Sequence, residues 1–151
     1  MPDNQWDAML AAAASEVLET MFFTEVYGPA PVAEPEAEPR LAVRLSFAGS
    51  PSGALTLSAS AAAAQALAAN FLAPEQDGAL PAAQLAAVVS ELANMICGSL
   101  LSRVATEAHF RLSSPEVAPA DAVCPPGAPS QSLDLGEGAI DLWLDLEPHA
   151  V

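Results

Sequence analysis

The sequence predicts an α+β domain, with long helices packed on a mainly antiparallel sheet in the order α-β-β-α-α-β-β-β. Three observations predict it. Leu41, Val43, Leu45 and Phe47 alternate with Ala42, Arg44 and Ser46, and Ile140, Leu142, Leu144 and Leu146 alternate with Asp141, Trp143 and Asp145. That two-residue period is a strand with one face buried. The turn Gly49-Ser50-Pro51-Ser52-Gly53 joins the first run to Ala54-Leu55-Thr56-Leu57-Ser58, which is a hairpin signature. From about Pro81 to Glu107 the apolar residues recur at helical spacing instead.

The remaining elements follow in order. A first helix starts near Asn4 or Asp7 and runs to about Phe23, with Met9, Leu10, Ala13, Val17, Leu18 and Met21 as its apolar stripe. Gly28 and Pro29 stop it. Residues 29–39, rich in proline and glutamate, read as an extended, solvated connection. Ser58 or Ser60 can cap a second helix that reaches about Phe71. Pro74 and Gly78 break the chain, and Pro81 suits the first turn of the long helix. Phe110-Arg111-Leu112-Ser113 reads as a short strand ended by Pro115. Residues 118–130 hold Pro119, Pro125, Pro126 and Pro129 and form a loop. Leu133 and Leu135 alternate with polar neighbours, and Gly136-Glu137-Gly138 turns the chain into the last strand. Residues 1–151 thus read as one domain with two Pro-rich loops.

Composition narrows the function classes. The chain has 151 residues and is 52% hydrophobic, but much of that is alanine, so the core must come from Leu, Val, Ile, Met and Phe. It has no lysine and four arginines, Arg40, Arg44, Arg103 and Arg111, with a formal net charge of −15. Such a surface repels phosphate backbones and anionic lipid, which argues against nucleic-acid and membrane partners. The acidity serves solubility first and the choice of partner second. Cys97 and Cys124 make no disulfide framework, and free thiols fit a reducing cytoplasm. No basic region precedes an apolar run at the N-terminus, so no secretory signal is expected. No run of about 20 apolar residues, the length of a membrane span, is expected either.

The long helix carries the chemistry. At about 100° per residue, Leu85, Val88, Val89, Leu92, Met95, Ile96 and Ser99 share one side. Ala87, Glu91, Asn94 and Gly98 share the other. A carboxylate and a carboxamide three residues apart therefore point the same way, flanked by small residues. Such a stripe can approach another protein closely and push two polar side chains into it. Other residues read as structural. His109 ends the long helix, His149 lies in the tail, and neither has the partners of a metal site. Cys97 fills a small helix position, and Arg103 complements the helix dipole. Trp143 either packs on the second sheet face or marks a subunit contact. Residues 13–21 echo residues 88–96, aligning Ser15 with Ser90, Glu16 with Glu91 and Glu19 with Asn94. Chance similarity of alanine-rich helices and an old duplication both account for this.

Glu91-x-x-Asn94-Met95-Ile96-x-Gly98, followed by Pro115, resembles the signature of the CheX/CheC/FliY chemotaxis phosphatases, and most closely the single-site CheX-like members. Glu19-Thr20-Met21-Phe22, the Gly53–Ser58 strand and the order of elements are also similar. The resemblance implies a phosphatase acting on the aspartyl phosphate of a CheY-like response-regulator receiver domain in chemotaxis or two-component signalling. It implies that Asn94 orients the attacking water and that Glu91 contacts a receiver lysine. It implies no cofactor in this chain, the Mg²⁺ belonging to the partner receiver. Ala87 departs from the pattern, standing where many members carry an acidic or hydroxyl residue. A non-catalytic adaptor of the same fold, binding a receiver or flagellar-type partner, is the alternative. Monomer and homodimer both fit the sequence.

Overall fold

The computed structural model describes residues 3–29, 40–49, 52–72, 81–104, 110–119, 122 and 124–146. Most of the 29–39 connection, the break at Pro74 and Gly78, the helix end at Glu107, and both histidines lie outside these residues. The elements are α1 (Asp3–Met21), β1 (Gly28–Pro29), β2 (Arg40–Ala48), β3 (Gly53–Ser60), α2 (Ala61–Leu72), α3 (Ala82–Val104), β4 (Arg111–Leu112), β5 (Glu116–Ala118), β6 (Ser130–Asp134) and β7 (Ala139–Leu146). All eight expected elements are present, and two short strands are added. Gly28–Pro29, expected only to stop a helix, pairs with β6. The strand expected to end before Pro115 resumes after it, because proline has no N–H for the ladder and splits the segment into β4 and β5.

The helix ends also have local causes. Phe23 adopts φ 51°, a left-handed conformation that closes α1 two residues earlier than expected. The Thr24 amide then turns back to donate to the Leu18 carbonyl, 2.9 Å away. At the start of α2, Ser60 Oγ accepts from the amides of Ala63 and Ala139, each at 3.2 Å. Gly138, at φ 89°, makes this possible: a Cβ there would stand 2.4 Å from the same oxygen.

The seven strands form one antiparallel sheet in the order β1-β6-β7-β3-β2-β4, with β5 also on β2. Exchanging β1 with β4, β2 with β6 and β3 with β7 leaves that order unchanged. Under the same exchange α1, which packs on β6, takes the place of α3, which packs on β2. The sheet is therefore an approximate two-fold arrangement about the β3–β7 pair, and the echo between residues 13–21 and 88–96 falls on matching helices.

Alternation decides what each face does. Val43, Leu45, Phe47, Leu55, Leu57, Ile140, Leu142 and Leu144 meet the helical stripes in one buried cluster. From α1 come Leu10, Ala13, Ala14, Val17 and Leu18, and from α3 Val88, Val89, Leu92, Ile96 and Leu100. Met21 leaves the expected stripe and is 47% exposed, whereas Trp6 and Phe22 join the core. Phe22 stacks on Phe71 of α2 with ring centroids 4.5 Å apart. On the other face Arg40 donates to Ser58 Oγ at 2.8 Å and to Asp141 at 3.0 Å, and Ser132 donates to Asp141 at 2.6 Å. Arg44 pairs with Asp145. Trp143 lies on this face, buried within the chain, which settles its packing on the second face. Contrary to expectation, α3 is long and apolar enough to cross a membrane by length and composition. Here its apolar stripe is packed on β2 and β3.

Candidate functional site

The site begins with the packing of α3. Val88, Val89, Leu92, Ile96 and Leu100 are buried against the sheet, which fixes the rotation of the helix about its axis. Ala87 and Glu91 are left exposed, while Asn94, Met95 and Gly98 are half-buried. Glu91 and Asn94 thus share a face as expected, but Asn94 sits deeper. The cause is a second wall. Leu112, Ser113, Ser114 and Pro115 run alongside α3, and with Ala87, Ser90, Glu91 and Asn94 they enclose an open groove of about 340 Å³.

That wall is held in place by the sheet. Leu112 pairs with Phe47 and Glu116 with Arg44. Between them the Ser113 amide donates to the Ser46 carbonyl at 2.8 Å, and the Ser46 amide donates to Ser113 Oγ at 2.8 Å. Reciprocal bonds of this kind hold a short edge segment rigid without a long ladder. Among the described residues, neither Glu91 nor Asn94 makes a side-chain hydrogen bond or ion pair. A carboxylate and a carboxamide in a fixed groove, with their polar atoms uncommitted, can hydrogen-bond a second molecule and a water between the two.

Ser90, Ser113 and Ser114 line this groove without having been singled out from the sequence. Ser90 precedes Glu91 directly, which was a weak signal. Ser113 and Ser114 become neighbours of α3 only through pairing with β2. On the matching helix α1, Glu16 and Glu19 are exposed. Glu16, the counterpart of Glu91, is ion-paired with Arg103. Arg103 sits in the last turn of α3 as expected, but it clamps α1 to α3 besides complementing the dipole. Cys97 is fully buried, and burial pushes its thiol up to about 12, which keeps it protonated and unreactive near neutral pH. Cys124 is half-buried and its thiol is also raised by burial. Among the described residues, no three His, Cys, Asp or Glu side chains gather as a metal site.

No curated protein matches the chain. A protein-family model does match, that of chemotaxis phosphatase CheX, over residues 41–123, a stretch that includes α3 and both groove walls. Solved structures share the fold. A chemotaxis protein CheX from Vibrio vulnificus superposes with a TM-score of 0.75 at 17% identity, covering 97% of this chain and 99% of that one. The CheX of a CheX–CheY–BeF3–Mg²⁺ complex from Borrelia burgdorferi gives 0.71 at 18% identity, covering 93% and 97%. Thermotoga maritima FliY gives 0.59 at 13% identity, covering 93% and 86%. With more than half of its length matched by the family model, and the fold shared from end to end, the chain belongs to the CheX chemotaxis phosphatase family.

Proposed function

We propose that this protein dephosphorylates the aspartyl phosphate of a CheY-like receiver domain, with Asn94 positioning the attacking water and Glu91 contacting the receiver's lysine. The observation that carries the reading is the uncommitted Glu91–Asn94 pair, set on one wall of a rigid groove and open to a partner. Family membership supports it, as does the Borrelia burgdorferi structure, in which a CheX of the same fold is bound to CheY with BeF3 and Mg²⁺.

The chemistry fits these side chains. Hydrolysis needs a water in line with the phosphorus while the bond from phosphorus to the aspartyl oxygen breaks, releasing inorganic phosphate and restoring the carboxylate. Charge on the equatorial oxygens must be neutralised, and there is little covalent work to do. The receiver, with its own Mg²⁺ and lysine, supplies neutralisation. Orientation of the water is the missing part. A carboxamide both donates and accepts, so it can hold a water without titrating. The glutamine of Ras-type GTPases orients the attacking water in the same way during phosphoryl transfer. Glu91 fixes the register through a charge-assisted contact. This division of labour asks for no cofactor or nucleophile from the present chain. The protein acts in the cytoplasm, where its substrate is.

A receiver-binding adaptor without catalysis is the second reading. Ala87 favours it, since the groove carries no acidic or hydroxyl side chain four residues before Glu91. The deciding experiment measures phosphate release from phosphorylated CheY-like receivers of the source organism, with and without this protein. Acceleration above the receiver's own rate is expected. Binding without acceleration would leave the adaptor.

A further inference from the structure

We propose that Arg111 is the cationic anchor of the docking surface, pairing with a carboxylate on the receiver at the margin of the contact that Glu91 and Asn94 make; this rests on the receiver-directed reading above. The argument starts from the arginines. In a chain of net charge −15 there are four, and no lysine. Arg40 pairs with Asp141, Arg44 with Asp145 and Arg103 with Glu16. Arg111 is exposed and, among the described residues, is the one arginine without an ion pair. Every other arginine is neutralised within the fold, so Arg111 is where this acidic surface can accept a negative group from outside.

Its position gives that charge a use. Arg111 lines a second open groove of about 390 Å³ with Ser46, Ala48 and Gly53 at the end of the β2–β3 hairpin. Leu112 and Ser113 line both this groove and the one holding Glu91 and Asn94. Only strand β4, about 5 Å wide, separates them. Alternation sends Leu112 to the helix side and Arg111 to the other, and β4 is the edge of the sheet, so a partner at that edge meets both. A protein interface of ordinary size covers about 800 Å² per partner, a disc of about 16 Å radius. Such a disc is several times wider than the strand between the two grooves.

The backbone that carries the anchor is also fixed. Arg111 pairs with Ala48 in the ladder, and the Ser113–Ser46 bonds lock the next turn of the segment. A guanidinium on a fixed backbone can take a carboxylate in bidentate geometry at low ordering cost. With Glu91 seeking a lysine on one side of β4 and Arg111 a carboxylate on the other, only one orientation of the receiver satisfies both. Arg111 thus selects receivers by the acidic group they carry beside the active site.

The test uses the full chain and CheY-like receivers activated with beryllofluoride and Mg²⁺. Arg111→Glu should weaken binding at least tenfold at low ionic strength, chiefly through slower association, and the deficit should shrink as salt rises. Arg103→Gln, which removes a charge at the far end of α3, should stay within twofold. In the dephosphorylation assay Arg111→Glu should raise the half-saturating protein concentration by a similar factor. A receiver whose acidic rim residue is changed to lysine should bind Arg111→Glu better than it binds wild type. Binding of Arg111→Glu within twofold of wild type at low salt would overturn the proposal while leaving the phosphatase reading in place. If wild type binds a receiver through Arg111 without accelerating hydrolysis, the phosphatase reading falls and the anchor stands. If it binds none, both fall.

Discussion

On the proposed function, replacing Asn94 with alanine should separate catalysis from folding and from binding. The Asn94 side chain is half-buried and, among the described residues, makes no hydrogen bond within the chain, so its removal orphans no partner. Alanine is the better helix former by roughly 0.6 kcal/mol. The loss of a few half-buried contacts acts in the opposite direction, so unfolding free energy should shift by less than about 1 kcal/mol. The rate is another matter. Deleting one preorganised polar group that acts only in a transition state costs about 10²- to 10³-fold, roughly 2.7–4 kcal/mol. Receiver dephosphorylation should therefore fall by about 10²-fold or more, while affinity for the beryllofluoride-activated receiver changes little. Glu91→Ala should weaken binding as well, because it would remove the proposed charge contact with the receiver. Single-turnover decay of phosphorylated receiver, read beside a binding titration, measures both. Full acceleration retained by Asn94→Ala would refute the water-orienting role. Equal rates for wild type and variant, both at the receiver's own hydrolysis rate, would refute the phosphatase for that receiver.

Further expectations follow from other parts of the structure. Glu19→Ala, on the exposed face of α1, should leave dephosphorylation nearly intact; a large loss without unfolding would put the active surface on the wrong helix. Phe23→Gly should raise stability by roughly 0.5–1 kcal/mol in a denaturant titration, since a 74%-exposed phenylalanine holds a left-handed conformation that glycine adopts without strain. A loss of more than about 1 kcal/mol would mean the ring makes a contact worth more than the strain. The native protein should expose one slowly reacting thiol, Cys124, and a second, Cys97, only after unfolding. Because the Cys97 thiol ionises near its ordinary 9.0 when unfolded and only at about 12 when buried, the unfolded chain loses its proton first. Stability should therefore fall above about pH 9, by up to about 1.4 kcal/mol per pH unit, and Cys97→Ala should flatten that slope.

The strands with one polar face were legible because alternation is a local signal, and so was the long helix. The short strands were not. Gly28–Pro29 has no pattern of its own and becomes a strand only because β6 offers a partner. Glu116–Ala118 could not be foreseen beyond a proline that ordinarily ends pairing. The first helix misled at Met21, where the stripe continues in sequence but Phe23 turns the backbone away. At the site, α3 periodicity placed Glu91 and Asn94 on one face correctly. It could not show that Asn94 is deeper than Glu91, since the wall that shelters it comes from residues 112–115. Nor could it show that Arg103 reaches across to Glu16, a contact between helices nearly ninety positions apart.

The strand order has a consequence for how the molecule comes into being. Each half of the chain lends its leading strand to the hairpin of the other: β1 joins β6, and β4 and β5 join β2. The central seam pairs Gly53 with Leu146 and Ala59 with Ile140, contacts that span more than eighty positions of sequence and so are slow to close. The groove depends on both halves: its two walls, α3 and residues 112–115, come from the second, and the second wall is stitched to β2 of the first. Neither half alone can close its sheet or form the groove. A chain halted before β7 could already wind α3 and display Glu91 and Asn94, yet it would leave β3 an open edge. Competence for the partner is thus tied to completion of the sheet: a half-made molecule that offered its carboxamide would do so from an unfinished one.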